Sequence, residues 1–334
     1  MSWHYQYENE VFTRIENGQE LVASEDEILV EPLVVGICGS DLNQIVHKRE
    51  NPTIGHEWVG RIKSLGSNVS GHEVGEIVTS VAHTCCRKCK NCLAKDWHNC
   101  LKRSLLGHHP QNVISSEVLI HYSDILKVPK GLSLDAIALL EVAFIGDIAF
   151  DRATRIGLKE GDKVIIFGAG PIGVFTALSF KYRGYEPILV EKEKSRIQIA
   201  KEIGLKCLNF SAVMMSDDHY LKYDLAIDCT GDNNGPGVLK FIHLFPKVFC
   251  NVLIVGKYKE GKLDEAAYAK KGLRLTWVAA HQIEEFQASI DFWKDKIEAY
   301  TAPLTHSLGF DHINEAFEAA RARKYMKCLI KKEL

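Results

Sequence analysis

Short apolar runs, cut by turn-forming and polar residues, dominate the first half of the chain. Three stretches have this pattern: residues 26–38 (DEILVEPLVVGIC), 58–66 (WVGRIKSLG) and 116–129 (SEVLIHYSDILKVP). Brief runs rich in Val, Ile and Leu that end at Gly, Pro or polar residues are typical of β-strands. The pattern therefore predicts a mostly β part before residue 168.

The pattern changes near Gly168. An apolar strand at 164–167 enters a glycine turn, a helical apolar spacing follows at 172–180, and a second strand is predicted at 188–190. Further buried strands are predicted within residues 223–231 (YDLAIDCTG), 247–256 (KVFCNVLIVG) and 273–280 (LRLTWVAA), with a helix at 195–203. Apolar strands that alternate with helices predict an α/β fold with a parallel, doubly wound sheet.

The glycine turn has the form of a dinucleotide-binding site. Glycines in such a turn permit a tight bend and a close approach to a pyrophosphate, and the helix N-terminus attracts the phosphate charge. An acidic residue, Glu191, follows Gly170 by 21 residues and is expected to accept hydrogen bonds from the adenosine ribose. The predicted cofactor-binding residues are Gly168, Gly170, Pro171, Ile172, Gly173 and Glu191. The alternative is a structural glycine turn in another α/β protein.

Glu191 favours NAD over NADP, because a carboxylate at this position repels a 2′-phosphate. Lys192 and Lys194 follow and could soften that repulsion, although lysines at the start of a surface loop are usually only solvated. We therefore predict NAD as the cofactor and regard NADP as the less favoured one.

Charge and composition narrow the possible partners. The chain has 334 residues, with 41 Lys and Arg against 43 Asp and Glu, so no overall field favours nucleic acid or an anionic membrane. The N-terminal residues are polar, and no apolar run reaches the roughly 18 residues of a membrane span. We predict a cytoplasmic protein with a small-molecule partner. In a reducing compartment, clustered cysteines indicate metal binding or catalysis rather than disulfides.

Five of the ten cysteines lie between residues 85 and 100. Cys86, Cys89, Cys92 and Cys100 are separated by two, two and seven residues, a spacing typical of a tetrahedral zinc site. Four thiolates saturate the ion, so this zinc is predicted to be structural. Cys85 could replace Cys86, although Cys86 preserves the even spacing. The alternatives are reduced cysteines in a polar loop and a zinc ribbon that binds nucleic acid through its basic residues.

A second candidate metal site lies in the β part. Cys38, His56 and Glu57 offer a thiolate, an imidazole and a carboxylate, which are the ligand types of an open zinc site. Singly, each residue has a simpler explanation, since a lone cysteine is most often in the core and a lone histidine most often on the surface.

Several motifs together resemble the zinc-dependent medium-chain alcohol and polyol dehydrogenases. The matching stretches are CGSD (38–41), GHEWVGRIKSLGSNV (55–69), the four-cysteine segment, LLEVAFIGDIAF (139–150), GDKVIIFGAGPIG (161–173) and the closing segment 303–330. The resemblance extends from about residue 25 to the last residue. The members of the family that the chain resembles are sorbitol, threonine and glucose dehydrogenases. It implies a GroES-like catalytic domain with a structural zinc lobe at 1–145 and 286–334, and a Rossmann NAD-binding domain at 146–285.

The resemblance also implies roles for individual residues. Cys38, His56 and Glu57 would surround a catalytic zinc, with Glu141 as a ligand or as the partner of the zinc-bound water. Ser40 would start a proton relay, Asp41 would orient His56, and Arg196 would join the cofactor-binding residues. The catalytic residues are thus Ser40, Asp41 and Glu57, and the chain would carry two zinc ions. A homodimer or homotetramer is expected on the same ground.

Two positions depart from the family pattern. Asn43 stands where many relatives carry a relay histidine, and an asparagine does not titrate near neutral pH. The proton could therefore leave through water, through His47, or not at all. Val142 stands where the family usually has a proline after the glutamate, so the segment around Glu141 also departs from the pattern.

These observations predict an oxidoreductase that transfers hydride from a secondary alcohol to NAD and produces a ketone. A polyol, sugar or cyclitol derivative is the favoured substrate, because Glu141 stands where simple alcohol dehydrogenases use a second cysteine. Two alternatives remain open: a catalytically silent relative that binds NAD and zinc, and a zinc-independent reductase on the same scaffold.

Overall fold

A computed structural model describes residues 2–46, 52, 54–106, 113–231, 237–258, 263–279 and 282–332. The chain divides into two compact units, one formed by Met1–Glu141 with His281–Leu334 and the other by Val142–Ala280. The first unit is therefore discontinuous in sequence. His47, the alternative relay residue, lies outside the described residues.

The first unit is mostly β. Its strands are β1 (Trp3–Glu8), β2 (Val11–Glu16), β3 (Glu27–Gly36), β4 (Glu57–Leu65), β5 (Ile77–Ser80), β6 (His83–Thr84), β7 (Ser104–Leu105), β8 (Val118–His121), β9 (Ile125–Lys127), β16 (Thr305–Gly309) and β17 (Lys327–Lys331). Seven of them form a sheet in the order β16-β17-β3-β4-β5-β9, with β8 also paired to β3. Strand β17, near the C-terminus, thus lies beside β3, the first long strand.

Helices of the first unit are short. They are α1 (Gly39–Val46), α2 (Lys90–Leu93), α3 (Leu134–Ala138), α9 (Ile283–Trp293), α10 (Glu298–Leu304) and α11 (Ile313–Arg321). A buried cluster that includes Val35, Trp58, Ile62, Phe317 and Ile330 joins α11 to the sheet. Burial of such side chains away from water stabilises the unit.

The second unit contains a six-stranded parallel sheet in the order β12-β11-β10-β13-β14-β15. The strands are β10 (Val164–Phe167), β11 (Ile188–Glu191), β12 (Lys206–Asn209), β13 (Tyr223–Asp228), β14 (Pro246–Ile254) and β15 (Arg274–Trp277). The helices are α4 (Leu140–Arg155), which starts in the first unit, α5 (Pro171–Lys181), α6 (Lys194–Glu202), α7 (Phe210–Met214) and α8 (Glu265–Lys271).

This architecture confirms the predicted α/β class, with a doubly wound sheet and a mostly β partner unit. Strand order reverses between β10 and β13, which is where doubly wound sheets bind ligands. Strands β1, β2 and β12 are among the elements that the sequence pattern does not predict. Strand β12 is short and bounded by Lys206 and Asn209, and the β1–β2 hairpin is largely polar, so neither contains an apolar run.

Candidate active site and structural metal centre

Cys38, His56 and Glu57 come together because the end of β3 lies beside the start of β4. Cys38 follows β3, whereas His56 and Glu57 stand at the start of β4, and Gly36 of β3 pairs with Glu57. One ligand atom from each of the three residues lies within 4.8 Å of the others. A thiolate, an imidazole and a carboxylate at this separation are a suitable donor set for zinc.

Asp41 is fully buried under this group. Its Oδ2 accepts a hydrogen bond of 2.9 Å from the Cys38 backbone N–H, and its Oδ1 lies 3.5 Å from His56 Nδ1. Burial lowers the pKa of His56, but the charges of Asp41 and Cys38 raise it more, so the pKa is well above its ordinary value. This arrangement leaves His56 Nε2 on the side of Ser40, whose Oγ is 3.4 Å away.

A buried lysine completes this cluster. The ammonium group of Lys327, the first residue of β17, forms an ion pair with the Glu57 carboxylate, and both side chains are buried. Burial lowers the pKa of Lys327, but Glu57 and Cys38 raise it more, and the result lies above the ordinary value. A Cβ on Gly36 would lie 2.6 Å from Glu57 Oε2 and 3.1 Å from Lys327 Cε, so only glycine leaves room for the pair.

Glu141 is buried near the start of α4 but lies outside the group of three clustered donors. It acts on Lys327 electrostatically. The acidic side chains Asp41, Glu57 and Glu141, with the thiol of Cys38, outnumber the two basic side chains of this cluster, His56 and Lys327. A divalent cation would offset this excess of negative charge, so the residues fit a zinc ion.

The four predicted cysteines of the second metal site also come together. Their sulfur atoms lie within 4.8 Å of one another, with Sγ–Sγ distances of 3.5 Å for Cys89–Cys92 and 3.6 Å for Cys86–Cys100. A tetrahedral zinc with Zn–S bonds of about 2.3 Å requires sulfur separations of about 3.8 Å. The backbone N–H of Cys92 lowers the pKa of Cys89 to about 6, which favours a thiolate. The arrangement fits a closed zinc site.

Cys85 lies outside this group. Its Sγ donates to the Trp97 carbonyl at 3.3 Å, and burial raises the pKa of its thiol to about 11. Arg87 donates to the Cys85 carbonyl at 2.7 Å and to Ser123 Oγ at 3.1 Å, and it forms an ion pair with Asp124. Arg87 thereby attaches the cysteine segment, residues 83–105, to the residues before β9, a contact that no local sequence pattern predicts.

The glycine turn of the second unit has the geometry that a pyrophosphate needs. Gly168 has a φ of +94°, and a Cβ on Gly173 would lie 1.8 Å from the Gly168 carbonyl oxygen. Pro171 is the first residue of α5 and Ile172 the next, while the N-cap Gly170 provides no side-chain hydrogen bond to the helix. The first amides of α5 are therefore not capped by a side chain, which suits an anion.

Glu191 lies at the end of β11, next to this turn. Its Oε2 accepts a hydrogen bond from the Ala169 N–H at 2.8 Å, and its Oε1 accepts from Lys192 and Glu193 at 2.7 and 3.1 Å. A carboxylate has about four acceptor positions, so some capacity for a ribose hydroxyl remains. Arg196 of α6 lies on the same side, with its Nη1 3.6 Å from where a Cβ on Gly170 would be.

Comparison with known proteins gives three findings. The alcohol dehydrogenase GroES-like domain family matches residues 24–130. L-threonine 3-dehydrogenase of Marinomonas sp. (strain MWYL1) is 26% identical over 308 residues, which cover 80% of this chain and 88% of the relative. The 2-dehydro-3-deoxy-L-galactonate 5-dehydrogenase of Pseudoalteromonas atlantica is 31% identical over 206 residues, which cover 60% of this chain and 59% of the relative.

One solved structure has the same fold as this chain along nearly its whole length. Galactitol-1-phosphate dehydrogenase from Escherichia coli superposes with a TM-score of 0.85 at 21% identity and covers 99% of this chain and 100% of its own. This similarity extends the agreement in fold to both units. In the described part of this chain, no helix has the length and apolarity required to cross a bilayer.

Proposed function

We propose that this chain is a medium-chain, zinc-type alcohol dehydrogenase and that it oxidises a secondary alcohol to a ketone with NAD as the hydride acceptor. The observation that supports this most directly is the cluster of Cys38, His56 and Glu57 with the fully buried Asp41 behind it. A zinc-independent reductase would have no use for these ligands.

Zinc, when bound, supplies a Lewis acid that lowers the pKa of an alcohol hydroxyl, and NAD supplies the acceptor for hydride. The residues of the chain hold the reactants and move the proton. Asp41 fixes the His56 ring, Lys327 balances the charge of Glu57, and the Ser40 hydroxyl beside His56 Nε2 accepts the alcohol proton and passes it outward. Asn43 is exposed and cannot titrate, so the proton leaves Ser40 through water.

NAD is the proposed dinucleotide because the Glu191 carboxylate at the end of β11 disfavours a 2′-phosphate. The proposed substrate is a polyol, sugar or cyclitol derivative. Glu141 in place of a second cysteine supports this class, and so do the names of two similar proteins, which act on a sugar acid and a sugar alcohol phosphate. We also propose a homodimer or homotetramer that works in the cytoplasm, where thiolate zinc sites are common.

The test is NADH formation by the zinc-loaded protein, followed by absorbance. The substrates are polyols, sugars, amino-cyclitols, sugar phosphates, threonine and simple alcohols. We expect turnover of at least one polyol or sugar derivative and its loss in Cys38→Ser. Cys250→Ser is the matched control, because Cys250 is a half-buried cysteine of β14 outside the proposed site, and it should retain turnover.

Two outcomes would contradict the proposal. Turnover that survives Cys38→Ser would show chemistry without the proposed zinc ligand. NAD binding without turnover of any substrate would favour a silent relative, for which Asn43 in place of a relay histidine is the supporting observation.

A further inference from the structure

A cavity with no role so far lies beside the cysteine segment of the first unit. Its volume is about 390 Å³, and its lining comes mainly from the cysteine segment, from the residues before β9 and from the start of α9. The charged residues of the lining are Arg87, Lys95, Arg103, Asp124 and Glu284. Of the described residues, Cys38, His56 and Glu57 do not line it, so the cavity is separate from the candidate catalytic cluster.

Arg87 and Asp124 are the charged part of the lining that is already paired. The Arg87 guanidinium forms an ion pair with Asp124, and its other two nitrogens donate to the Cys85 carbonyl at 2.7 Å and to Ser123 Oγ at 3.1 Å. Each nitrogen of this guanidinium therefore has a partner, and the charge of Asp124 is offset. These contacts hold the lining in place and leave ligand binding to other residues.

Lys95 and Arg103 are the cations that remain for a ligand. Lys95 is exposed and Arg103 is half-buried, and within the described part of the chain neither side chain forms an ion pair. The lining sets only one further carboxylate against them, that of the exposed Glu284. The cavity therefore keeps an excess of positive charge, which favours an anionic ligand.

The backbone at Lys95 is a second observation that points to a ligand. Lys95 follows Ala94, the C-cap of α2, and has a φ of +58°. Glycine is the usual residue at this position because a Cβ is unfavourable in the left-handed region. Residues held in such strained conformations cluster at ligand-binding sites. The chain thus keeps a cationic side chain at a position where glycine would cost less.

Trp97 and Ile283 give the cavity apolar surface as well. Both are half-buried, Trp97 in the 3₁₀ helix of the cysteine segment and Ile283 at the first position of α9. A volume of about 390 Å³ lies within the usual range for small-molecule sites. The cavity can therefore hold a carbon body of several atoms together with an anionic group.

We infer that this cavity binds a small phosphorylated molecule, with the phosphate at Lys95 and Arg103 and the carbon body against Trp97 and Ile283. A phosphate monoester carries nearly two negative charges at neutral pH, which suits two cations without ion-pair partners. The guanidinium of Arg103 also matches the geometry of phosphate oxygens. The inference is independent of the proposed reaction, since its residues lie outside the candidate catalytic cluster.

The experiment measures the binding of glycerol phosphate to the zinc-loaded protein by isothermal titration calorimetry, with inorganic phosphate and glycerol as comparison ligands. Inorganic phosphate should bind more weakly because it lacks the carbon body, and glycerol should not bind because it lacks the charge. Lys95→Gln and Arg103→Gln should each weaken the binding of glycerol phosphate about 5- to 10-fold, the effect of one charge-assisted hydrogen bond at a partly exposed site.

Lys102→Gln is the matched control. Lys102 is an exposed lysine next to Arg103 that does not line the cavity, so this variant should bind glycerol phosphate as the parent protein does. The zinc content of all three variants should equal that of the parent. Equal zinc content separates the loss of a ligand contact from the loss of the cysteine segment.

Four results would overturn the inference. Equal affinity in the parent and in both cavity variants would place the bound phosphate elsewhere, and loss of binding on saturation with NADH would place it at the glycine turn. A parent protein that does not bind glycerol phosphate would show that the cavity takes no phosphate monoester. Inorganic phosphate that binds as tightly as glycerol phosphate would contradict the contacts with the carbon body.

Discussion

A buried ion pair dominates the site at the scale of single residues. Glu57 and Lys327 are both buried, and they meet over the bare Cα of Gly36. Two charges removed from water cost several kcal/mol each unless they are paired, so neither side chain is stable there alone. Lys327 therefore offsets the buried charge of the Glu57 carboxylate and holds that carboxylate in position.

Replacement of Lys327 by Met should be strongly destabilising, because it leaves the buried Glu57 carboxylate without the ammonium group that pairs with it. We expect the free energy of unfolding to fall by about 3–5 kcal/mol, measured by urea denaturation of the zinc-loaded protein. Lys331→Met is the matched control on the same strand. Lys331 pairs with Asp135 at 2.7 Å where both are partly exposed, and its loss should cost about 0–1 kcal/mol. Equal losses in the two variants would contradict a special role for Lys327.

At the scale of elements, the cysteine segment is too small to be stable by packing alone. It contains the four-residue helix α2, a three-residue 3₁₀ helix at Trp97–Asn99 and the two-residue strands β6 and β7. Short elements with little apolar surface need a metal or another cross-link. The four clustered sulfurs offer such a link, and Arg87 joins the segment to Asp124.

Cys86→Ser and Cys85→Ser should therefore behave differently. Because Cys86 contributes a sulfur to the cluster and Cys85 does not, only Cys86→Ser should reduce bound zinc, from about two ions to about one per chain. The measurement is the zinc content of the purified protein, together with the thermal unfolding midpoint. Cys85→Ser should keep both ions and unfold near the temperature of the parent protein. Loss of zinc in Cys85→Ser would instead identify Cys85 as the fourth ligand.

At the scale of the whole molecule, the proposed association of copies of the chain is placed at an edge strand of the second unit. Strand β15 is the last strand of the six-stranded sheet, and its Trp277 is 55% exposed. Phe249, on the neighbouring strand β14, is 72% exposed. An edge strand with exposed aromatic side chains nearby is typical of a surface that pairs with another chain. This surface supports the proposed homo-oligomer.

Trp277→Asp should weaken that association, since it puts a charge on the edge strand. We expect the mass in solution, measured by light scattering after gel filtration, to shift toward the 37.5 kDa of one chain. Met215→Asp is the control, because Met215 is 87% exposed outside this sheet edge and its replacement should leave the mass unchanged. An oligomer that survives Trp277→Asp would exclude this edge as the interface.

The sequence by itself determined the features that depend on local spacing. Three of these features are local patterns: the glycine turn with Glu191, the four cysteines, and the change from short strands to alternating strands and helices. The α/β class was predicted from the last of them. The ligand types of Cys38, His56 and Glu57 indicated a candidate metal site. That these residues lie together around one catalytic zinc was implied only by the family resemblance. The assignment of catalytic roles to Ser40, Asp41 and Glu57 remains a prediction.

Only the tertiary structure decided which distant residues meet. Lys327 reaches Glu57 because β17 pairs with β3, and β3 pairs with β4. The two residues are far apart in the sequence. The Tyr258 hydroxyl reaches the Asp228 carboxylate because β14 lies beside β13, and Cys86 rather than Cys85 joins the other sulfurs through the fold of its loop. Local propensity specifies strands and turns, but the pairing of strands that are distant in sequence is fixed by the packing of the whole unit. For this reason, no local sequence pattern predicts these contacts.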